Sequence, residues 1–142
     1  MTVSAPSPIP AAFLGVAHAH VGAYAARWRA RPEWGVRPAA VWDADAARAA
    51  AFAAAHGLET AASAESLLAR PEVRAVVIGS ETAFHADHVE QAAAAGKAIV
   101  LQKPLALTLE QGDRIVAAVE RHGVPFTLAW QMRVDPHNLQ IR

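Results

Sequence analysis

The sequence predicts an α/β protein built on a doubly wound parallel sheet. Three observations predict it. Short apolar runs alternate with alanine-rich stretches of helical length from Ala11 to Trp130. The clearest run, Val73-Arg-Ala-Val-Val-Ile78, is nearly continuous and β-branched, as a strand covered on both faces should be. Polar caps open the helical stretches and glycines follow their ends, as at Asp45 and Gly57 or Thr108 and Gly123.

The elements follow in order. Pro6, Pro8 and Pro10 mark residues 1–10 as a flexible N-terminal arm. Residues 11–17 read as the first buried strand, and His20 to Arg31 as a helix stopped by Pro32. Residues 38–43 form the second strand, followed by a helix from Asp45 to His56. A short strand lies near residues 59–61, and Ser63 caps a helix that Pro71 ends. After the strand at 73–78 come a helix from Ala83 to Ala95, a strand at 98–101, and the capping box Thr108-Leu-Glu-Gln111 opening a helix to His122. Residues 124–130 are the last strand, and residues 131–142 a short stub.

At 142 residues the chain holds one domain, residues 11–130, large enough for a real core. Its 54% apolar and 18% charged composition excludes disorder. Thirteen basic side chains balance thirteen acidic ones, so neither nucleic acid nor an acidic membrane surface is an expected partner. The absence of cysteine excludes disulfides, thiolate zinc sites and cysteine nucleophiles, and suits a cytoplasmic location. No apolar run approaches the ~18 residues of a membrane helix. The stretch from Ile9 to Ala19 has no positive charge before it, the first being Arg27, so it is not read as a signal sequence.

In such a sheet, ligands bind outside the carboxyl ends of the strands. That singles out residues 15–20, Asp43, residues 79–84, 102–104 and 131–133. The first turn, Gly15-Val-Ala17-His18-Ala-His20, resembles the dinucleotide fingerprint G-x-G-x-x-G with only its first glycine in place. Ala17 holds the second glycine position and His20 the third. A histidine at the third should push the helix off the strand, unless Gly22 shares that role. On this loop alone a plain strand-to-helix turn fits as well. Asp43, 23 residues after His20, stands near the expected ~20 for a ribose-binding carboxylate. Its alternative role is a helix N-cap, for which Asp45 is better placed. Ala44, not a cation, follows it, so a 2′-phosphate should meet a carboxylate alone, which favours NAD over NADP.

His18-x-His20 after a first strand also evokes the metal pair of β/α-barrel zinc hydrolases, and His85 with His88 makes a second i,i+3 pair. A barrel needs at least ~200 residues, and no carboxylate clearly joins the four, so no metal is expected. His18 and His20 then read as polar loop residues near the phosphates, and His88 as a solvated helix residue. Lys103 leaves the fifth strand toward the crevice, whereas Lys97 reads as an exposed helix-end residue.

Four segments together resemble the nucleotide-binding half of the glucose-fructose oxidoreductase / inositol dehydrogenase (Gfo/Idh/MocA) family. They are Gly15 to His20; Val41-Trp-Asp43-Ala-Asp45-Ala-Ala-Arg48; Pro71 to Ser80 with Phe84-His85; and Ala95-Gly96-Lys97 through Gln102-Lys103-Pro104-Leu-Ala106. The resemblance implies a Rossmann domain and NAD(P)-dependent hydride transfer at a hydroxyl carbon of a sugar or cyclitol. It implies Lys103 as the catalytic lysine on the substrate hydroxyl. The cofactor would meet Gly15, Ala17, His18, His20, Asp43, Ser80, Thr82, His85, Gln102 and Lys103, and Gln131 and Arg133 would line the substrate cleft. Gln102 departs from the family's usual Glu, and the glycine fingerprint is eroded. The family's second α/β domain, which would begin just after Asp135-Pro136, is absent from the 142 residues. The expectation is therefore an oxidoreductase half that is inactive alone and a homo-oligomer at full length. The competing class is a non-catalytic NAD(H)-binding module or sensor subunit.

Overall fold

The computed structural model describes residues 7–141. Six strands form one sheet: β1 (Ile9–Leu14), β2 (Val36–Trp42), β3 (Glu59–Thr60), β4 (Ala75–Ile78), β5 (Ala98–Gln102) and β6 (Phe126–Ala129). Their order is β3-β2-β1-β4-β5-β6, and every neighbouring pair is parallel. The helices are α1 (His20–Ala30), α2 (Ala46–His56), α3 (Ala64–Leu68), α4 (His85–Ala94), α5 (Leu109–His122) and α6 (Pro136–Leu139). The doubly wound parallel sheet is thus the observed fold. Its order reverses between β1 and β4, which places the ligand crevice at their carboxyl ends.

Alternation along the strands explains the layers, because successive side chains point to opposite faces. Ala12 and Leu14 of β1, Ala40 of β2, and Val76 and Ile78 of β4 pack with α3, α4 and α5 through Leu67, Val89 and Ile115. Phe13, Val41 and Val77, the residues between them, pack the other way with Val21 and Ala25 of α1 and Ala53 of α2. Each of the larger of these side chains, fully buried, contributes about 1.5–3 kcal/mol.

Several boundaries shift for local reasons. Residues 1–6 of the expected arm lie outside the described residues, and Ile9 and Pro10 are not arm at all: they open β1, paired with Val36 and Arg37. The helix expected from Ala83 is split into a 3-10 turn at Thr82–Phe84 followed by α4. Only half of the expected capping box of α5 forms. Thr108 Oγ1 accepts from Gln111 N–H, but Gln111 Oε1 accepts from Leu107 N–H, one residue before the cap. The reciprocal box stands instead on α3, between Ser63 and Ser66. Lys97 is not an exposed helix end. It is buried, and its Nζ donates to Arg70 O at 2.9 Å and Val73 O at 2.8 Å, tying the turn before β4 to the start of β5. That burial pushes its ammonium below the usual lysine range.

Candidate functional site

The turn after β1 is built by two close approaches. Gly15 has φ +79°, and a Cβ there would lie 2.5 Å from Ser80 Cβ, so only glycine fits between the ends of β1 and β4. A Cβ on Gly79 would lie 2.2 Å from Val21 Cγ2. Gly79 therefore lets α1 lie close on the sheet, the role expected of the third fingerprint position. Neither expectation for that position holds. His20 is exposed and displaces nothing, and a Cβ on Gly22 would meet His56 Nε2 at 3.6 Å and Phe52 Cε2 at 4.0 Å, both ordinary contacts. His18 N–H donates to Gly79 O at 2.9 Å, fixing the loop across the crevice. Ala19 is the N-cap of α1 without a side-chain hydrogen bond, and no acidic residue stands in the first turn.

Asp43, just past β2, has a buried carboxylate that accepts four hydrogen bonds. Oδ2 takes Val16 N–H at 2.7 Å and Arg48 Nε at 2.9 Å, while Oδ1 takes Asp45 N–H at 2.8 Å and Arg48 Nη2 at 2.7 Å. Burial alone would raise its pKa, but Arg48 and the two backbone donors outweigh it and hold the carboxyl below the usual range. Asp45, as expected, is the N-cap of α2, accepting from Ala47 and Arg48 N–H. The expectation that no cation stands near Asp43 is overturned. Arg48, one helical turn into α2, folds back onto it and also donates from Nη2 to Glu81 Oε1 at 2.8 Å.

Ser80 and the turn after β4 complete a cavity of about 190 Å³, lined by Gly15, Trp42, Asp43, Ala44, Ser80, Glu81, Phe84 and His88. His88 is not solvated. It is buried, its Nδ1 lies 3.0 Å from Ser80 Oγ, and its ring meets Trp42 edge-on at 5.8 Å. Burial is the main cause that pushes its pKa down. His85 is 1% exposed and joins strand ends instead of facing the crevice: Nδ1 faces Pro104 O at 3.1 Å and Nε2 faces Ser80 O at 3.3 Å. Thr82 sits half-buried in the 3-10 turn.

At the other end of the crevice Lys103 is half-buried just past β5, before a cis peptide to Pro104. Its charge is near enough to His18 to lower that ring's pKa, after burial, and His20 and His85 act the same way. Gln102 is fully buried, and its Nε2 donates to Tyr24 Oη at 2.7 Å. Gln131 Nε2 reaches the same hydroxyl at 2.9 Å and His20 Nδ1 at 3.0 Å. Tyr24 thus joins α1 to the ends of β5 and β6. The sequence reading missed it, although it is the chain's one tyrosine and stands four residues after His20. Arg133 is exposed in the 3-10 turn after β6. Among the described residues Gln102 Oε1 is buried without a partner, and no group of three His, Asp or Glu is placed to hold a metal ion.

Residues 10–129 match the model of the oxidoreductase family with an NAD-binding Rossmann fold, Gfo/Idh/MocA. The chain belongs to this family. Among curated family relatives, the oxidoreductase YrbE of Bacillus subtilis is 36% identical over 104 residues, 72% of this chain and 30% of its own. The inositol 2-dehydrogenase of Ralstonia nicotianae is 42% identical over 91 residues, 63% of this chain and 27% of its own. The chain thus spans less than a third of the length of these relatives. An NAD-binding oxidoreductase from Klebsiella pneumoniae superposes with a TM-score of 0.82 at 29% identity, covering 95% of this chain and 38% of that one. Synechocystis biliverdin reductase, in complex with biliverdin and NADP+, gives 0.74 at 26%, covering 86% and 38%.

The residues present fit the family's dinucleotide. No acidic residue stands in the first turn of α1, whose positive end favours a pyrophosphate, while His20 N–H already donates to His18 Nδ1 at 3.2 Å and Val21 N–H to His18 O at 3.1 Å. Gly15 packed on Ser80 leaves no side chain between the strand ends at that point. The cavity beside β2 is lined by two carboxylates, Asp43 and Glu81, the residue type that a ribose hydroxyl pairs with in this fold.

Proposed function

We propose that this chain binds NAD(H) across the carboxyl edge of its sheet and belongs to an oxidoreductase that acts on a secondary alcohol of a sugar or cyclitol. The observation that carries the reading is the conjunction, at the β1/β4 reversal, of the Gly15 turn, the acid-free first turn of α1 and the carboxylate pair Asp43 and Glu81. The adenosine ribose lies beside Asp43 and Glu81. Ser80, held by His88, offers its hydroxyl along the crevice. NAD is preferred over NADP because the ribose end carries two carboxylates against one guanidinium.

Bound NAD(H) supplies or accepts the hydride. Lys103 donates a hydrogen bond to the substrate oxygen and moves its proton, a task arginine cannot share because it stays protonated. His18 stands beside Lys103, and its lowered pKa keeps it neutral, so it adds no second cation there. Tyr24 holds Gln102 and Gln131 in place below the reacting end, and Gln131 and Arg133 face the substrate side. Titration calorimetry with NADH and NADPH tests the reading. The expected result is one site that prefers NADH by at least about tenfold, or 1.4 kcal/mol. Tighter NADPH binding, or none of either, overturns it.

A further inference from the structure

We propose that Glu81 sets the choice between the two nicotinamide dinucleotides, by clamping the Arg48 guanidinium that would otherwise pair with a 2′-phosphate. The inference rests on the reading of this edge as a dinucleotide site. Asp43 is poorly placed to discriminate. Its side chain is 1% exposed, and both oxygens already accept two hydrogen bonds from within the protein. The exposed members of the group are Arg48 and Glu81, with side chains 32% and 46% accessible. Arg48 spends Nε and one Nη2 hydrogen on Asp43 and the other Nη2 hydrogen on Glu81.

Glu81 therefore does two things. It holds the guanidinium in place through one Nη2 hydrogen, while Nη1 makes no hydrogen bond among the described residues, so its effect on a phosphate acts through charge. It also brings the group of Asp43, Arg48 and Glu81 to a net charge of −1, which repels a phosphate and tolerates a hydroxyl. Asp43 and Glu81 both line the cavity beside β2, so this balance is felt where the ribose lies. The clamp spans α2 and the turn after β4, 33 residues apart, and no local motif announces it.

The test compares Kd values for NADH and NADPH by calorimetry in the wild-type chain, Glu81→Gln and Glu81→Gln/Arg48→Gln, with circular-dichroism melts confirming that each is folded. Glu81→Gln should cut the NADPH-to-NADH Kd ratio about tenfold, as loss of one partly screened charge predicts, mainly by tightening NADPH. Adding Arg48→Gln should restore the ratio. A folded Glu81→Gln that binds NADH with its ratio unchanged overturns the proposal alone, as does a gain that survives removal of Arg48. Absence of binding of both dinucleotides by the wild-type chain overturns the underlying reading, and this proposal with it.

Discussion

The proposed reaction asks, at Lys103, for a cation that can also release a proton. In the enzyme at the length of its relatives, Lys103→Ala and Lys103→Arg should each lower turnover by about 10²–10⁴-fold with NADH affinity nearly unchanged. Steady-state kinetics beside a binding titration checks this, and full activity in Lys103→Arg would leave only an electrostatic role. His88 supports a second prediction. Burial lowers its folded-state pKa below the unfolded value of about 6.5. The stabilisation is therefore complete above pH ~6.5 and is lost as pH falls through the folded pKa. Thermal melts should show Tm falling from pH 7.5 to 5.5, and His88→Gln should shallow that fall without abolishing it, since His18 and His56 are shifted the same way. An unchanged slope in His88→Gln would contradict the assignment. The positions of Lys103 and Asp43, just past β5 and β2, were legible in the sequence because strand ends place them. Arg48 was not, since its partner lies back along a helical turn, nor was Glu81, whose contact crosses 33 residues. His88 and Lys97 were misread because polarity hid their buried partners.

At the level of elements, the turn between β1 and α1 turns on which glycine permits close packing. A methyl on Gly79 would meet Val21 at 2.2 Å, so Gly79→Ala should cost about 1–3 kcal/mol through overpacking. A methyl on Gly22 would meet His56 at an ordinary 3.6 Å in a helix interior, so Gly22→Ala should gain about 0.5–1 kcal/mol. Urea melts distinguish the two, and equal effects would contradict the packing described. Strands and helices were legible because their two periodicities differ and their caps are explicit. The third fingerprint glycine was not, because β4 supplies its role from 59 positions beyond His20. The half-formed box at Thr108 shows the same limit: the residue types were right, and the side chain chose the neighbouring amide.

Across the whole molecule, two apolar layers hold a sheet whose carboxyl edge gathers the candidate residues from β1, β2, β4, β5 and β6. Beyond Lys103 that edge is open: Trp130, Met132 and Val134 are more than half exposed. The 142-residue chain should therefore bind dinucleotide yet show no polyol-dependent NADH production, and robust production would contradict this. The most direct test of where the dinucleotide sits is an amide chemical-shift map of the ¹⁵N-labelled chain titrated with NADH. Saturable shifts are expected at Gly15, Val16, His18, Asp45, Ser80, Glu81 and Lys103, all at the carboxyl edge. Shifts confined to the opposite edge, around Val36, Gly57 and Ala98, or none at all, would contradict that placement.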